Sequence, residues 1–429
     1  MEDLCQRIPH VCTKIFGLVD DQSLIKFKEA SKVIYNILEN ERFFWIRIIQ
    51  AHAGRLQDSW KKVVVKTQLA IIKEFAASVQ QYFRTNNSYH ERPTPLCIAA
   101  SVCNSELCKY VATRTEDYKD DLHWAIASGY TYESFKLILE NVQSKNPRDD
   151  FGETPLHQAV REGCLHHAVR EGCFEICNLI IENVTEKNPK DHKGKTPLHH
   201  AAEHGYFELC RLIINSVDEK NPGDEEGETP FHKAAEEGHI EICKLFIETL
   251  HNKNLGNDYD DTPLHSAAIR GHFEVCKLLM ENLLDKNPGD DYENTPLHSA
   301  ASCGHFEVCK LLMENLLDKN PGNENGCTPL HSAAFSGQLE VYKLIMSNTQ
   351  DKNPEDINGW TPLHYAAEEG CFELCKLILL QIDDKNPPNN MGKTPRCIAQ
   401  AEGHLNIVDL INSHLKNPPS KKLKIEYYI

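Results

Sequence analysis

The 429-residue sequence lacks long hydrophobic runs. No stretch reaches the roughly 18 uninterrupted apolar residues that a membrane-spanning helix needs. The first ten residues, MEDLCQRIPH, have neither the basic start nor the apolar core of a secretory signal peptide. We therefore expect a cytoplasmic protein without a membrane partner. Basic residues near the C-terminus (Lys421, Lys422 and Lys424) leave a nuclear location open.

Motifs that carry chemistry are also lacking. The sequence has no glycine-rich phosphate loop, nucleophile elbow or kinase signature. Histidines recur once every 33 residues, too far apart to share a metal ion at ligand distances of about 2 Å; they are His199, His232, His265, His298, His331 and His364. A local group of Cys164, His166, His167 and Cys173 matches no zinc spacing. We expect a non-catalytic protein with no cofactor and no metal site.

Disulfides are not expected, although the chain has 17 cysteines. The number is odd, and a secretory signal is missing, which favours reduced thiols. Six of the cysteines occupy one position of successive 33-residue segments, with Tyr342 at the one gap; they are Cys177, Cys210, Cys243, Cys276, Cys309 and Cys375. This regular placement predicts a buried slot in which the thiol serves as a small apolar group.

Negative charge is concentrated after the first 88 residues. Residues 1–88 hold 13 Lys/Arg and 9 Asp/Glu, a net charge of +4, and the remainder holds 33 and 54, a net charge of −21. A surface of that charge repels nucleic acid and anionic lipid, so neither is an expected partner. A protein target with a basic or mixed surface is favoured, while solvation of a large surface is the simpler explanation of the same charge.

A 33-residue segment that begins with Thr-Pro recurs through most of the chain. Seven copies start at Thr196, Thr229, Thr262, Thr295, Thr328, Thr361 and Thr394. In the copy at Thr262, this threonine is a helix N-cap, Pro263 follows at the first helical position, and Gly271 ends the short helix. A second amphipathic helix runs from Phe273, and Asn287-Pro288-Gly289 breaks it.

Ten copies can be counted in all. The first begins at Thr94, the second is degenerate around 120–125, and the third begins at Thr154. The third is 42 residues long, because Leu156–Cys164 is repeated in tandem as Leu165–Cys173. This insertion predicts either a longer helix or a bulge. The tenth copy carries Arg396 and Cys397 in place of Leu and His, as expected of an end repeat.

This period and the Thr-Pro-Leu-His motif resemble the ankyrin repeat. The resemblance implies an all-α solenoid of about ten helix-turn-helix repeats over residues 89–415, with a basic tail at 416–429. Such solenoids present long concave surfaces and bind other proteins.

Residues 8–49 resemble a second family, the F-box. Ile8-Pro9 stands for the Leu-Pro pair that opens the family pattern, Asp20–Leu24 for its central turn, Ser31-Lys32 for the second helix, and Phe43–Trp45 for the closing aromatic pair. Ala30 and Tyr35 depart from the common Val and Trp. We assign residues 1–50 to a small helical F-box-like domain and residues 51–88 to a connecting helix.

The F-box resemblance implies binding to the Skp-type adaptor of a cullin–RING ubiquitin ligase through apolar helical anchors. By position in the pattern, the anchors are Pro9, Ile15, Leu24 and Trp45. Two alternatives remain open for the whole chain: a scaffold without ligase association, in which the N-terminal helices only cap the solenoid, and a pathogen-type effector that uses the same host machinery.

Residues that differ between repeats should determine the target. They lie in the turn before each Thr-Pro, after each Leu-His, and before the glycine that ends the first helix. From these positions we predict a target-binding surface on repeats five to nine, formed by Tyr259, Arg270, Tyr292, Phe335, Trp360, Tyr365, Glu368 and Glu369. Aromatic rings beside carboxylates favour a basic and partly apolar peptide.

Overall fold

The computed structural model describes residues 95–101, 105–112, 121–127, 131–162 and 170–416. All elements in these ranges are helices, joined by turns. The F-box-like domain, the connecting helix and the residues after 416 lie outside the described residues.

The helices alternate between a first, short helix and a second helix, which is longer in most repeats. The first helices of the ten repeats are α1 (Pro95–Ser101), α3 (Asp121–Ala127), α5 (Pro155–Glu162), α7 (Pro197–Glu203), α9 (Pro230–Glu236), α11 (Pro263–Arg270), α13 (Pro296–Cys303), α15 (Pro329–Phe335), α17 (Pro362–Glu368) and α19 (Pro395–Ala401). The second helices are α2 (Ser105–Ala112), α4 (Tyr132–Asn141), α6 (Arg170–Asn183), α8 (Phe207–Ser216), α10 (Ile240–Thr249), α12 (Phe273–Asn282), α14 (Phe306–Asn315), α16 (Leu339–Asn348), α18 (Phe372–Gln381) and α20 (Leu405–Lys416). This pattern confirms the predicted helix-turn-helix repeats.

Contacts divide the chain into two compact units. Of the described residues, one unit contains those up to His200 together with Arg211–Val217, and the other contains Ala201–Cys210 and those from Asp218 to Lys416. In the first unit the largest fully buried side chains include Phe135, Leu122 and Ile180. In the second unit the core repeats from one helix pair to the next.

At the start of each first helix in the regular repeats, the capping threonine is hydrogen-bonded to the histidine three residues later. In repeat seven the Thr295 backbone N–H donates to His298 Nδ1 at 3.0 Å, and His298 Nε2 lies 3.0 Å from the carbonyl oxygen of Cys327, in the turn that leads into the next repeat. Because Nδ1 accepts a hydrogen bond, the proton of the neutral ring is on Nε2, which donates to that carbonyl. The ring therefore bonds both to the capping threonine of its own helix and to the turn that leads into the next repeat.

Glycine ends the first helix where the next repeat comes close. Gly271 has φ of +74°, in the left-handed region that favours glycine. A Cβ at this position would lie 2.4 Å from Nδ1 of His305, which belongs to the next repeat. His305 in turn donates from Nε2 to the carbonyl oxygen of Ile269 at 2.8 Å. Glycine is therefore required for both backbone conformation and repeat packing.

The second helices bury one apolar face. In α12 the buried residues are Val275, Cys276, Leu279 and Met280. The recurring cysteines are buried, as predicted, and none of them is paired in a disulfide, and burial raises the pKa of Cys276 to about 12. At the same position Tyr342 is fully buried, and burial raises its pKa. The slot therefore accepts either a thiol or a ring without becoming reactive.

The tandem insertion lengthens a helix. α6 has 14 residues, whereas α8, α10 and α12 have 10 each. The sequence left open a longer helix or a bulge. The structure shows the longer helix for the second half of the insertion, whereas residues 163–169 lie outside the described residues. None of the described helices is long and apolar enough to cross a bilayer.

The buried histidines predict that stability falls as pH is lowered below 7. Burial lowers the pKa of His157, His232, His298 and His331 from 6.5 to about 4. Between these two values the unfolded chain binds more protons, so acid favours unfolding, by about 1–2 kcal/mol for each histidine between pH 7 and pH 5. The urea concentration at the midpoint of unfolding, measured for a dilute solution of the protein at each pH, tests this prediction.

A matched pair of variants isolates one ring. His298→Gln should make the urea midpoint depend less steeply on pH, whereas the same change at the exposed His251 serves as the control. A midpoint that stays constant from pH 7 to pH 5 would contradict the prediction.

Candidate protein-binding surface

The turn before each Thr-Pro forms a finger that is held by hydrogen bonds within the turn. In the finger 290–294, the Asp290 backbone N–H donates to the carbonyl oxygen of Asn294 at 2.9 Å, and Asp290 Oδ1 accepts the backbone N–H groups of Tyr292 and Asn294 at 2.8 Å each. Neighbouring fingers are joined by backbone bonds, such as the one from the Asp291 N–H to the carbonyl oxygen of Tyr259 at 2.9 Å. The fingers therefore hold their exposed side chains in a regular row.

The structure brings three of the predicted target-binding residues together as an aromatic group, defined here as Phe335, Trp360 and Tyr365. The ring centroid of Tyr365 lies 5.1 Å from that of Trp360 and 6.2 Å from that of Phe335. Tyr365 and Trp360 are half-buried, and Phe335 is 52% exposed. The group thus presents a partly open apolar face.

A buried aspartate holds the central ring of this group. The Tyr365 hydroxyl donates to Asp356 Oδ2 at 2.8 Å, while Asp356 Oδ1 accepts the backbone N–H groups of Asn358 and Trp360. The Sγ atom of Cys327 lies 3.6 Å from the same hydroxyl. Burial and these bonds raise the pKa of Tyr365, so the ring stays neutral. The sequence analysis did not predict that Asp356 and Cys327 contact Tyr365. The available signal was that Asp356 is the first residue of its finger, the position that Asp290 occupies in another finger.

Carboxylates follow the aromatic group along the first helices. Glu368 and Glu369 lie at the end of α17. Burial and the nearby charges of Glu369 and Glu402 raise the pKa of Glu368, whereas Lys393 acts in the opposite direction. The negative charge here is only partly offset, which suits a cationic group of a partner.

Arg270, one of the predicted target-binding residues, forms an ion pair within the chain. Its Nη2 atom lies 2.7 Å from Glu236 Oε1, and Lys233 Nζ lies 3.4 Å from Glu236 Oε2. Burial alone would raise the pKa of Glu236, but Arg270 and Lys233 lower it. Lys233 also pairs with Glu228. The sequence did not reveal this network, because its members come from two repeats.

Tyr259 and Tyr292 lie apart from the aromatic group. They are on the tips of adjacent fingers and are 56% and 58% exposed, and among the described residues no ring contact joins them to Phe335, Trp360 or Tyr365. Of the predicted aromatic residues, Phe335, Trp360 and Tyr365 therefore contact one another, whereas the rings of Tyr259 and Tyr292 are not in contact with them. The predicted adaptor-binding residues Pro9, Ile15, Leu24 and Trp45 lie outside the described residues.

One group of possible metal ligands occurs in the first unit. Glu153, Asp191 and His200 each offer a ligand atom within 4.8 Å of the others. Arg161 Nη1 lies 2.6 Å from Glu153 Oε1, but burial outweighs this cation and raises the pKa of Glu153, and Glu153 Oε2 is buried without a hydrogen-bond partner. The sequence did not predict this grouping, because its members are up to 47 residues apart.

The repeats agree with a known family. A model of ankyrin repeats in three copies matches residues 122–222, 165–257, 216–290, 241–321, 281–356 and 348–421. The matches extend from residue 122 to residue 421, or 300 of the 429 residues. A comparison with curated proteins found no match. The chain therefore belongs to the ankyrin-repeat family, and its repeats indicate a role in protein interaction.

Proposed function

We propose that the protein is the substrate receptor of an SCF-type ubiquitin ligase. The observation that carries the proposal is the F-box-like pattern at residues 8–49 placed ahead of an ankyrin-repeat array. In this arrangement the N-terminal segment binds a Skp-type adaptor, through which it joins the cullin complex, and the repeats bind the target. The chain itself is non-catalytic, and it acts by holding a target lysine near the enzyme that carries ubiquitin.

The adaptor contact would depend on a few apolar anchors. Helix-in-groove interfaces gain most of their free energy from a small number of buried side chains. Pro9, Ile15, Leu24 and Trp45 occupy the positions of such anchors in the F-box pattern.

A non-catalytic scaffold is the second candidate function. The family match begins at residue 122 and covers none of the F-box-like pattern. A protein-binding array whose N-terminal helices only cover its first repeat would fit that observation equally.

The aromatic group is our proposed anchor for the target on repeats five to nine. Its central ring is held by Asp356, so little side-chain entropy is lost when a partner packs against it. Glu368 and Glu369 on the same repeat add negative charge. A target segment with apolar and basic side chains side by side would match both features.

The ligase proposal predicts a one-to-one complex of the full chain with a Skp-type adaptor in size-exclusion chromatography. Deletion of residues 1–50 should abolish it, and Leu24→Asp with Trp45→Ala should weaken it by at least about 30-fold, because anchor truncations cost about 2 kcal/mol or more. Phe335→Ser, which changes an exposed side chain of the array, should leave adaptor binding unchanged. If the intact, folded chain forms no complex, the scaffold function is correct instead.

The target proposal predicts that the double variant Trp360→Ala with Tyr365→Ala captures at least about tenfold less of the target proteins that the wild-type chain retains. The reason is that central aromatic residues dominate the free energy of an interface. Quantitative mass spectrometry of proteins retained on the immobilised chain measures this. Retention of the adaptor provides the internal standard.

Two further variants separate binding from folding. Phe335→Ser removes a ring that is already half exposed, and it should also reduce capture while the thermal midpoint changes little. Phe151→Ala, on an exposed ring of the first unit, is the matched control. Equal capture by the wild type and by both aromatic-group variants would reject this location.

A further inference from the structure

Three side chains meet where two neighbouring fingers lie side by side. They come from the last residue of one finger, the first residue of the next, and the residue four positions after the threonine that follows it. Before repeats eight and nine these are Cys327, Asp356 and Tyr365, and the Tyr365 hydroxyl donates to Asp356 Oδ2 at 2.8 Å. One junction earlier, Asn323 Nδ2 donates to Asn294 Oδ1 at 2.8 Å. At both junctions polar side chains therefore bond to one another.

Repeats three and four differ at the same three positions, which hold Glu153, Asp191 and His200. Each of these residues offers a ligand atom within 4.8 Å of the other two. Glu153 is 7% exposed, and its Oε2 atom is buried with no hydrogen-bond partner among the described residues. Arg161 is bonded to the other oxygen, with its Nη1 atom 2.6 Å from Oε1. A buried carboxylate oxygen without a partner is costly, so Oε2 indicates that a ligand completes this site.

Backbone hydrogen bonds fix the two fingers that carry the carboxylates. The His192 backbone N–H donates to the carbonyl oxygen of Phe151 at 3.0 Å, which joins one finger to the other. Asp191 Oδ1 accepts the backbone N–H groups of Lys193 and Lys195 at 2.8 Å each. Asp191 thus has one oxygen bonded within its turn and a second oxygen that can bind a cation.

Two histidine rings lie beside these carboxylates, and they have different roles. The ring centroids of His157 and His200 are 6.1 Å apart, with the planes at 73°. Both ring nitrogens of His157 take part in the bonding between repeats: Nδ1 accepts the Thr154 backbone N–H at 3.1 Å, and Nε2 lies 3.1 Å from the carbonyl oxygen of Lys195. His200, on α7, is therefore the ring that supplies a ligand nitrogen.

We propose that Glu153, Asp191 and His200 bind one Zn²⁺ ion. Two carboxylate oxygens and one imidazole nitrogen are a ligand set that zinc accepts, and three protein ligands leave a fourth position for water. Tetrahedral ligands at about 2.0–2.2 Å from zinc lie about 3.4 Å apart, so the side chains close by up to about 1.5 Å when the ion binds. The ion neutralises Glu153 Oε2 and links repeats three and four.

This site lies wholly in the first unit and is independent of the target surface and of the ligase proposal. The sequence predicted no metal site, because the recurring histidines are one repeat apart. The three ligands come from two fingers and a helix that only stacking of the repeats brings together.

The full chain, reduced and stripped of metal, should bind one Zn²⁺ with a dissociation constant below about 1 μM, measured by competition with a chromophoric chelator. Asp191→Asn with His200→Ser should weaken this binding at least about 100-fold, because groups outside the ligand set alone change metal affinity by about 10- to 100-fold. Asn323 and Ser332 occupy the same two positions in repeat eight, so the variant keeps residues that the fold already accepts.

The matched control makes the same two changes next to the site. Asp224→Asn with His204→Ser alters the first residue of the following finger, which also accepts two backbone N–H groups, and an exposed histidine. This control should bind Zn²⁺ within about twofold of the wild type. Saturating Zn²⁺ should raise the thermal midpoint of the wild type and of the control by at least about 2 °C, and it should leave that of the site variant unchanged.

Co²⁺ in place of Zn²⁺ distinguishes this site from the cysteines. Oxygen and nitrogen ligands give visible cobalt bands without the thiolate-to-metal charge-transfer band of a cysteine site. The proposal is overturned if the wild type binds no Zn²⁺ below about 1 μM, if the control loses as much affinity as the site variant, or if the cobalt complex shows the thiolate band.

Discussion

The histidine bond between repeats is the interaction on which the regular part of the fold depends. One neutral ring accepts the backbone N–H of its own threonine at Nδ1 and donates from Nε2 to a carbonyl in the turn that leads into the next repeat, as in Thr295, His298 and Cys327. Burial lowers the pKa of the ring and so keeps the proton arrangement that both bonds need. The same histidine side chain thereby bonds to the threonine that caps its own helix and to the turn that leads into the next repeat.

Because the backbone is held in this way, the exposed positions are free to differ without affecting the stack. The fingers keep their turn through an aspartate or asparagine that accepts two backbone N–H groups, as Asp290 does. What protrudes from the turn can be tyrosine, glutamate, isoleucine or methionine. This separation of the repeat backbone from the exposed side chains is what suits the family to protein recognition, and it places the aromatic group and the exposed Tyr259 and Tyr292 on the same kind of support.

Most of the repeat fold could be predicted, and the neighbours of the exposed side chains could not. The helix pairs, the bond between Thr295 and His298 and the buried position of Cys276 all follow from residues close together in the sequence or from strict periodicity. The ion pair of Arg270 with Glu236 joins residues 34 apart. The approach of Tyr365 to Cys327 joins residues 38 apart. Neither recurs in every repeat, so neither leaves a periodic signal.

The sequence by itself determined the all-α solenoid and its helix-turn-helix repeats, because a 33-residue period with a proline start and a glycine end permits little else. Tertiary structure decided which charges remain available and which rings act together. Stacking brings Lys233 and Arg270 to Glu236, whereas the carboxylates beside Tyr259 and Tyr292 form no ion pair within the described part of the chain. The structure also shows that Asp260 and Glu293 have a positive φ, which favours glycine, because a backbone angle does not follow from residue type.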